Sequence, residues 1–558
     1  MTAASDVPAG DPAIEAPARG RLPFWLRVVV PGVLALAVSL VIGVTTATAE
    51  LSLGPHEARY DITTDGGITV DVGPLGTLVM SSPLPLALGV RVTVQEIPAS
   101  VTSVDASSTL QSLSGDLQGY LQFFSGPQAT IHDVTRALLA SAVQRSLTAL
   151  AVLVGLWFGG RLLLGARRRA ELAAPLAPHA YQLAAGSLVV VLALTVLTSS
   201  VGERDRASTM SAGSPVFDGT ALEGARVTGR LAGVINTYGT YVLNAYRTNQ
   251  AFYAAADDAF VAAWKDRQSR IDAAIQAPAL TPTTSTSPSP SADEAADSVP
   301  KDEQPIVLLL VSDLHCNVGM APLVRSAAKL SGAKVILDAG DTTIDGTAVE
   351  QYCVTTFAEA APSGVPIVTS PGNHDSKETS AMYRRAGATV LAGEVVTVEG
   401  IRILGDSDPN ATRIGAGTTL VGKETAREEA SRLADVACGD PDGVDLLLIH
   451  NPRVGDETLN RGCAPTQLSG HLHIRVGPLR TGSGVRYVNA STAGALLGEP
   501  TVGPLRNTAE MTVLRFDPVN RRILDYQLIQ VRTNASASVG PRISWPLTLP
   551  ALLPNGIR

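Results

Sequence analysis

The chain has 558 residues, which is too long for one typical domain and predicts several. Its formal net charge is −8, so no broadly basic surface is expected and nucleic acid is not a predicted partner. Hydrophobic residues make up 45% of the sequence and aromatic residues only 4%. Much of the apolar content lies in long uninterrupted runs, and these runs organise the first half of the chain.

The amino-terminal region begins with residues 1–23, whose small, polar and Pro-containing sequence predicts a disordered cytoplasmic tail. Residues 24–49 follow as the first membrane-span candidate, with Ser39 the one polar interruption in the run 28–44. With its flanks this run reaches the about 20 residues that a membrane helix needs. Ala47-Thr48-Ala49 also resembles a signal-peptidase site. An uncleaved anchor is favoured because a signal h-region is usually shorter, but both alternatives carry the following residues across the membrane.

Residues 50–145 predict a small extracytoplasmic β-containing domain. Short stretches with β-branched residues, at 68–72, 77–80 and 90–95, lie between Gly and Pro breaks. His56 and His132 have no ligand-type neighbours in this region and are interpreted as surface residues.

Two further apolar runs, at residues 146–165 and 181–201, predict a second and a third transmembrane helix. Residues 166–180 between them include three consecutive arginines, 167–169, which marks a cytoplasmic loop by the positive-inside rule. A buried helix of a soluble domain is the alternative for either run. The three spans predict a multi-pass protein of the cell membrane, in contact with bilayer lipid, whose large carboxyl-terminal part is extracytoplasmic.

The remaining segments outside the carboxyl-terminal domain have simpler patterns. Residues 202–276 are interpreted as a helical stalk, because small and aromatic residues recur at helical spacing. Residues 277–304 are rich in Pro, Ser and Thr and predict a flexible linker. Residues 533–558 are Pro-rich and are expected to form a surface tail.

From residue 305 onward, five apolar strand-like runs each lead into polar ligand-type residues. Five of the eight histidines of the chain lie in these motifs, whereas structural histidines would be scattered. Ligands at the carboxyl ends of neighbouring strands form a site in α/β sheets. The motifs are Asp313-x-His315, Gly340-Asp341, Gly372-Asn373-His374-Asp375, His450 and Gly470-His471-x-His473.

This ordered set of motifs resembles the calcineurin-like metallophosphoesterase superfamily, in its membrane-anchored bacterial type. The resemblance covers residues 304–532, and for residues 305–532 it implies a four-layer αββα sandwich of the α/β class. One departure concerns the Gly-Asp motif, because many members carry a second Asp three residues after the first. Here Asp345 comes one place later, which leaves the shape of that loop open.

The resemblance also implies roles for the motif residues, with two divalent metal ions as cofactors. Asp341 would bridge both metals. The ligands implied for the first metal are Asp313, His315 and His473, and those for the second are Asn373, His450 and His471. This mixed nitrogen and oxygen set suits Mn, Fe or Zn better than Ca or Mg.

Two further residues of the third motif are expected to be catalytic. His374 resembles the general acid of the family, and Asp375 would hold its ring in position. For Asp375 a role as a loop or helix-capping carboxylate remains the alternative.

The function expected from the resemblance is that of a metal-dependent hydrolase acting on phosphate mono- or diesters, or pyrophosphates, outside the cytoplasm. A hydroxide bridging the two metals would attack phosphorus. The alternative from another class is a non-catalytic metal-binding envelope receptor or organiser. Within the enzyme class, a cytoplasmic phosphodiesterase would require the inverted topology.

The four cysteines all lie in the carboxyl-terminal domain, and an even number outside the cytoplasm permits disulfides. Cys438 and Cys463 each precede a ligand-bearing strand, so this pair is preferred. Cys316 would then pair with Cys353. The other pairings, and free buried thiols, remain alternatives.

Overall fold

A computed structural model describes most of the two folded regions of the chain. The described residues are 24–53, 56–73, 76–95, 127–165, 167–168, 182, 225–227, 230–276, 304–413, 417–496, 501 and 503–547. The predicted cytoplasmic tail (1–23) and the linker up to residue 303 lie outside them, as does the third predicted span except for residue 182.

Two helices and a six-stranded sheet make up the first region. Helix α1 (Phe24–Thr45) packs against α2 (Pro127–Leu163), and a Cβ on Gly43 would lie 1.9 Å from the Ser146 hydroxyl. The strands are β1 Thr48–Leu53, β2 His56–Thr63, β3 Gly67–Asp71, β4 Thr77–Ser81, β5 Gly89–Val94 and β6 Arg226–Val227. Their order in the sheet is β1-β2-β5-β3-β4-β6. Tyr60 and Val92 pack against Leu138 of α2, so this helix is also part of the small core.

Membrane-span character among the described residues is found in α2. Its segment Ile131–Leu163 is long and apolar enough to cross a membrane, and only 17% of its apolar window is buried. The apolar part of α1, Pro31–Thr45, is shorter than that test requires. Of the three predicted spans, the described residues therefore show one candidate by length and composition.

The carboxyl-terminal region contains two mixed α/β sheets. After α3 (Arg230–Gln276), the first sheet has the order β10-β9-β8-β7-β19-β20-β21 and the second β11-β12-β15-β16-β18-β17. The strands of the first are β7 Ile306–Val311, β8 Val335–Asp338, β9 Ile367–Thr369, β10 Thr389–Val390, β19 Ala509–Asp517, β20 Arg522–Val531 and β21 Ala537–Ser544. Those of the second are β11 Val396–Val398, β12 Ile401–Leu404, β15 Leu446–Leu448, β16 Thr466–Ser469, β17 Val476–Thr481 and β18 Gly484–Val488. A separate hairpin comprises β13 Asn410–Arg413 and β14 Gly417–Leu420.

Side-chain alternation along the buried strands explains the layering. In β7, Leu308 and Leu310 face the second sheet and pack with Leu446 and Leu468, whereas Leu309 faces helices on the other side. Helices therefore cover both outer faces of the paired sheets, which gives an αββα arrangement. The helices are α4 Ala321–Ser331, α5 Gln351–Ala360, α6 Lys377–Arg385, α7 Ala426–Gly439 and α8 Asp456–Arg461.

Helix α3 differs from the expected stalk in how its second half packs. Tyr253, Ala256 and Phe260 are buried in the same core as Leu309. Their spacing of three and four residues puts them on one helical face. Such an apolar stripe is typical of a helix that packs against a core. The Tyr253 hydroxyl accepts a hydrogen bond from Asn317 Nδ2 at 2.7 Å. This half of α3 belongs to the outer helical layer of the carboxyl-terminal domain.

The expected tail at residues 533–558 also differs from the structure. Strand β21 pairs antiparallel with β20 as the last strand of its sheet, and Trp545 is 6% exposed in the core. The sequence of β21 is polar and contains Pro541, a pattern that an edge strand tolerates because one side of its backbone makes no ladder.

Both preferred disulfides are present. Cys316 bonds Cys353, and Cys438 bonds Cys463, with Cα–Cα distances of 5.1 and 4.9 Å. These distances lie within the usual range for disulfides, and no cysteine is free.

The packing of α3 predicts that Phe260→Ala destabilises the carboxyl-terminal domain although residue 260 precedes its first strand. Removal of this fully buried ring should cost about 3–5 kcal/mol of unfolding free energy. The measurement is the urea midpoint for loss of the domain's native structure in the full chain. Ile275→Ala, at an exposed position of the same helix, is the control and should stay within about 0.5 kcal/mol of wild type. Equal midpoints for the two variants would show that α3 does not stabilise the domain.

Candidate metal centre

The predicted ligand-type side chains converge where strands of the two sheets end. Three of the strands, β7, β8 and β9, are neighbours in the first sheet, and β15 and β16 are neighbours in the second. Because the two sheets lie face to face, their carboxyl-terminal edges share one end of the sandwich. The structure brings together all seven side chains: Asp313, His315, Asp341, Asn373, His450, His471 and His473.

Four of these residues form a first cluster. One ligand-type atom from each of Asp313, His315, Asp341 and His473 lies within 4.8 Å of the others. The Nε2 atoms of His315 and His473 are 2.9 Å apart, and His473 Nε2 is 3.6 Å from Asp313 Oδ1. Three of the four are buried, so the cluster faces inward.

A second cluster lies beside the first and shares Asp341 with it. Asp341, His450 and His471 again place ligand-type atoms within 4.8 Å. His450 Nε2 is 3.0 Å from Asp341 Oδ2. Asn373 Oδ1 lies 2.9 Å from His471 Nδ1 and 3.1 Å from His450 Nε2, so it completes this cluster. The shared carboxylate makes two adjacent sites out of seven side chains.

The backbone at these positions is strained. Five of the seven have a positive φ, a conformation that costs non-glycine residues of the order of 1–3 kcal/mol. These residues are Asp313 (51°), His315 (40°), Asp341 (57°), His471 (74°) and His473 (56°). The positive φ values turn the chain at the strand ends, so that the side chains of these residues point toward one another.

Two motif glycines allow the close approach of neighbouring loops. A Cβ on Gly372 would lie 2.2 Å from Asp341 Oδ1, and a Cβ on Gly470 would lie 2.7 Å from Asp313 Oδ2. No side chain fits at either position without displacing a ligand-type carboxylate. This steric limit accounts for glycine in the third and fifth motifs.

The donor set fits bound divalent metals. Asp313 Oδ2 is buried and makes no hydrogen bond in the described part of the chain. An unpaired buried carboxylate oxygen is costly unless a cation lies against it. His450 Nδ1 donates to the Ala339 carbonyl at 2.7 Å, which directs Nε2 into the cluster. These are the features expected of side chains arranged for a metal.

Burial and neighbouring charges favour the ligand forms of three of these groups but not of His450. Burial lowers the pKa of His315 to about 3 and that of His473 to about 4, so both rings are neutral at pH 7. For Asp341, burial opposes ionisation, but the charge of His450 outweighs it and lowers the pKa. Neutral imidazole and ionised carboxylate are the forms that bind metals. Burial opposes the charge of His450, but the attraction of Asp341 outweighs it and raises the pKa of His450 to about 10, so a metal at its Nε2 would take the place of a proton.

Burial raises the pKa of Asp313 to about 7 against the opposing attraction of His450. A neighbouring cation would therefore favour the ionised form of Asp313.

His374 borders the first cluster without being part of either. Its ring packs edge-on against that of His315, with centroids 5.0 Å apart. Its backbone N–H donates to Asp341 Oδ1 at 2.8 Å, and its Nδ1 lies 2.6 Å from the Ile344 carbonyl oxygen. A carbonyl can only accept, so Nδ1 carries the proton of this bond and Nε2 is left to face the site.

Asp375 does not hold the His374 ring, in contrast to the first of the two expectations for it. Its carboxylate accepts from the backbone N–H groups of Gly372, Asp341 and Thr343 at 2.8–3.1 Å. Acceptance of several backbone donors fixes the loops that carry Asp341 and Asn373. Asp375 has the loop-stabilising role that remained as the alternative, because the ring of His374 turns away toward residue 344.

The sequence did not mark two residues that position Asn373. In the hairpin of β13 and β14, Thr412 Oγ1 accepts from Asn373 Nδ2 at 2.8 Å, which turns Oδ1 toward the second cluster. Arg413 donates to the carbonyls of Asn373 and Asp375 at 3.0 and 2.8 Å. Both residues lie about 40 positions from the motif along the chain and carry no local pattern that could have identified them.

Comparison with protein families agrees with this geometry. Residues 306–475 match the family described as calcineurin-like phosphoesterase. The chain carries a calcineurin-like phosphoesterase domain. It is therefore a metal-dependent phosphoesterase, a hydrolase of ester bonds. A search of curated proteins found no match.

Several solved structures are similar to the phosphoesterase domain. A novel archaeal phosphodiesterase is 11% identical, with 40% of this chain and 100% of that chain covered and a TM-score of 0.25. A dimetal phosphatase from Danio rerio is 11% identical over 43% and 99% of the two chains, with a TM-score of 0.27. NAD nucleotidase from Haemophilus influenzae is 14% identical over 43% and 50%, with a TM-score of 0.25. TM-scores this low carry no weight for the function of this chain.

The shared carboxylate predicts the effect of Asp341→Ala on metal content. Elemental analysis of the wild-type protein after reconstitution should find about two metal equivalents, as a dinuclear site requires. Loss of the residue common to both clusters should reduce this below one. Asp338→Asn is a matched control, since Asp338 is equally buried but bonds to Gly340, Thr342 and Thr369 and to neither cluster. A wild-type maximum of one metal, or full retention in Asp341→Ala, would contradict the two-metal assignment.

Proposed function

We propose that this phosphoesterase hydrolyses phosphate monoesters, diesters or pyrophosphates on the extracytoplasmic side of a membrane. His374 donates a proton to the leaving oxygen. The observation that carries the proposal is the arrangement of seven ligand-type side chains in two clusters that share Asp341, with the His374 ring at their border.

The seven ligand-type residues would hold two metal ions. Two divalent metals, when bound, supply Lewis acidity to the phosphoryl group and to a water molecule. Asp341 would hold both. The remaining ligands of the first site are Asp313, His315 and His473, and those of the second are Asn373, His450 and His471. Strained backbone and buried loops hold these side chains in place before substrate arrives, which lowers the reorganisation needed for the reaction.

The environment of His374 suits proton donation. Its Nδ1–H is engaged with the Ile344 carbonyl, so Nε2 is the ring atom through which a proton can reach the leaving group. Its backbone N–H donates to Asp341 Oδ1, which ties the loop that carries the ring to the shared carboxylate. An alkoxide leaves poorly without a proton, so this placement supplies what the cleavage step lacks.

The pairing of β6 supports the proposed topology. β6 pairs with β4, so residues 226–227 lie on the same side of the membrane as the rest of the first sheet. If α2 crosses the membrane, the chain must cross back before residue 225. The apolar run at 181–201 is the proposed return span, and Arg167 and Arg168 then lie in the cytoplasmic loop. With α1 as the first span, the chain is multi-pass and the phosphoesterase domain is extracytoplasmic.

The two disulfides support the same compartment. Both bonds lie in the phosphoesterase domain, and such bonds persist in oxidising environments outside the cytoplasm. An extracytoplasmic domain would meet envelope phosphate esters or scavenged nucleotides before cytosolic messengers.

The general-acid assignment predicts that His374→Ala keeps both metals and loses rate according to the leaving group. Hydrolysis of alkyl phosphates should fall by about 10²–10⁴-fold, the usual contribution of a general acid. Nitrophenyl phosphates should be affected far less, because nitrophenolate is already a stable anion. The measurement is kcat/KM on a panel of both ester types, with Mn, Fe and Zn each supplied.

His471→Ala is the matched control for this variant, since removal of a ligand should lower metal content and slow both ester types alike. An equal effect of His374→Ala on good and poor leaving groups would refute the assignment. Tight metal binding without hydrolysis of any ester in the panel would favour a receptor instead.

The topology predicts the activity of reporter fusions. A reporter that is active only outside the cytoplasm should be active when fused after Gln304 and silent when fused after Arg168. A reporter that is active only in the cytoplasm should show the opposite pattern. Cytoplasmic activity of the Gln304 fusion would place the catalytic domain inside the cell and exclude an extracytoplasmic substrate.

A further inference from the structure

One peptide unit connects His374 to a buried glutamate. The Ile344 carbonyl accepts the bond from His374 Nδ1 at 2.6 Å. The N–H of the same peptide unit, which belongs to Asp345, lies 3.2 Å from each carboxylate oxygen of Glu350. In a trans peptide the C=O and the N–H point in opposite directions. Glu350 therefore fixes the direction in which the carbonyl faces.

Glu350 holds the whole turn that contains this peptide. It accepts from the Ile344 N–H at 2.5 Å, from the Thr347 N–H at 2.9 Å and from the Thr347 hydroxyl at 3.2 Å. The side chain is 8% exposed, and this burial raises the pKa of Glu350 to about 7. The backbone N–H donors of the turn oppose that rise, because they favour the ionised carboxylate that accepts their bonds. Residues 342–347 belong to no helix or strand, so their backbone lacks the regular hydrogen bonds of such elements. The Glu350 carboxylate provides hydrogen bonds to this turn instead.

The turn lies directly against the main chain that carries His374. Gly346 has φ +66°, and a Cβ there would come 2.9 Å from the His374 carbonyl oxygen. Thr343 Oγ1 donates to the same carbonyl at 3.0 Å. A change in the shape of the turn is therefore transmitted to the position of His374.

We propose that Glu350 is a positioning residue for proton donation by His374. Its carboxylate directs the Ile344 carbonyl, and that carbonyl holds the imidazole ring with Nε2 toward the leaving oxygen. This inference rests on the proposed function of His374. A hydrogen bond from the N–H to a carboxylate also polarises the peptide, which makes its carbonyl a stronger acceptor for the ring.

The position of Glu350 is itself secured from two sides. Glu350 precedes α5, and Cys353 in the first turn of this helix is bonded to Cys316, the residue after His315. On the other side, Asp133 of α2 accepts from Gln351 and Thr355 at 3.0 and 2.7 Å. Glu350 is thus held between the metal-site loop and the membrane-proximal helix.

The test compares Glu350→Ala and Glu350→Gln in the full chain with His374→Ala. Glu350→Ala should lower kcat/KM for alkyl phosphates by about 10–100-fold, as is usual when a partner that orients a functional side chain is lost. Nitrophenyl phosphates should be affected much less, and metal content should stay at its wild-type value. Glu350→Gln keeps one acceptor oxygen and should show a smaller loss with the same leaving-group dependence.

Glu429→Gln is the matched control. Glu429 is 2% exposed on α7, and the charged groups that act on it are Asp406, Asp408, Arg432 and Glu424. Burial raises its pKa to about 9, so glutamine mimics its protonated form. This variant should leave the ratio between alkyl and nitrophenyl phosphates unchanged. A purely structural role of Glu350 would lower the rates of both ester types together and would overturn the inference.

The double variant of Glu350→Ala with His374→Ala separates the two proposals. If Glu350 acts through His374, the double variant should lose no more leaving-group selectivity than His374→Ala alone. Absence of leaving-group dependence in His374→Ala would refute the general-acid assignment itself. Dependence in His374→Ala without any in Glu350→Ala, additive losses, or loss of metal in Glu350→Ala would refute the inference about Glu350 alone.

Discussion

The carboxylate of Asp341 is the constraint on which the site depends. It is buried, it is held ionised by His450, and it belongs to both clusters. Buried charges and neutral imidazoles that face one another are unfavourable unless a cation joins them. The fold holds these groups together because strands of two sheets end at one edge of the sandwich. Five of the ligand positions also adopt a left-handed backbone. The strain is concentrated where the chemistry requires it.

The support for the site extends beyond the motifs in both directions along the chain. Helix α3 contributes Phe260 and Tyr253 to the core, and Tyr253 contacts Asn317, two residues after His315. At the other end, β21 completes the first sheet. The phosphoesterase fold of this chain is therefore larger than the segment that matches the family, and these added elements stabilise the sheet from which the ligands emerge.

The region of α1, α2 and the six-stranded sheet is joined to the phosphoesterase domain by specific polar contacts. Asp133 of α2 binds the first turns of α5, and His132 pairs with Glu359 of the same helix. Gln351, which Asp133 binds, follows Glu350 directly, so one of these contacts lies next to the residue that holds the turn at 342–347. His132 is a surface residue, as predicted, and its pairing with Glu359 also joins the two regions.

The sequence by itself determined the class of the fold and the identity of the ligand-type residues. Each motif follows an apolar run, and strand ends with such residues have few other uses, so local pattern was sufficient. For the cysteines the sequence favoured one pairing among three, and the structure decided it. Tertiary structure alone decided how these groups face one another. Asp375 binds backbone N–H groups, and the Ile344 carbonyl holds the His374 ring. Thr412 orients Asn373. These contacts join segments that are distant in sequence, so no local pattern could reveal them. The apolar stripe of α3 and the polar strand β21 were likewise ambiguous locally, since a buried helical layer and an edge strand exist only when the rest of the sheet is present.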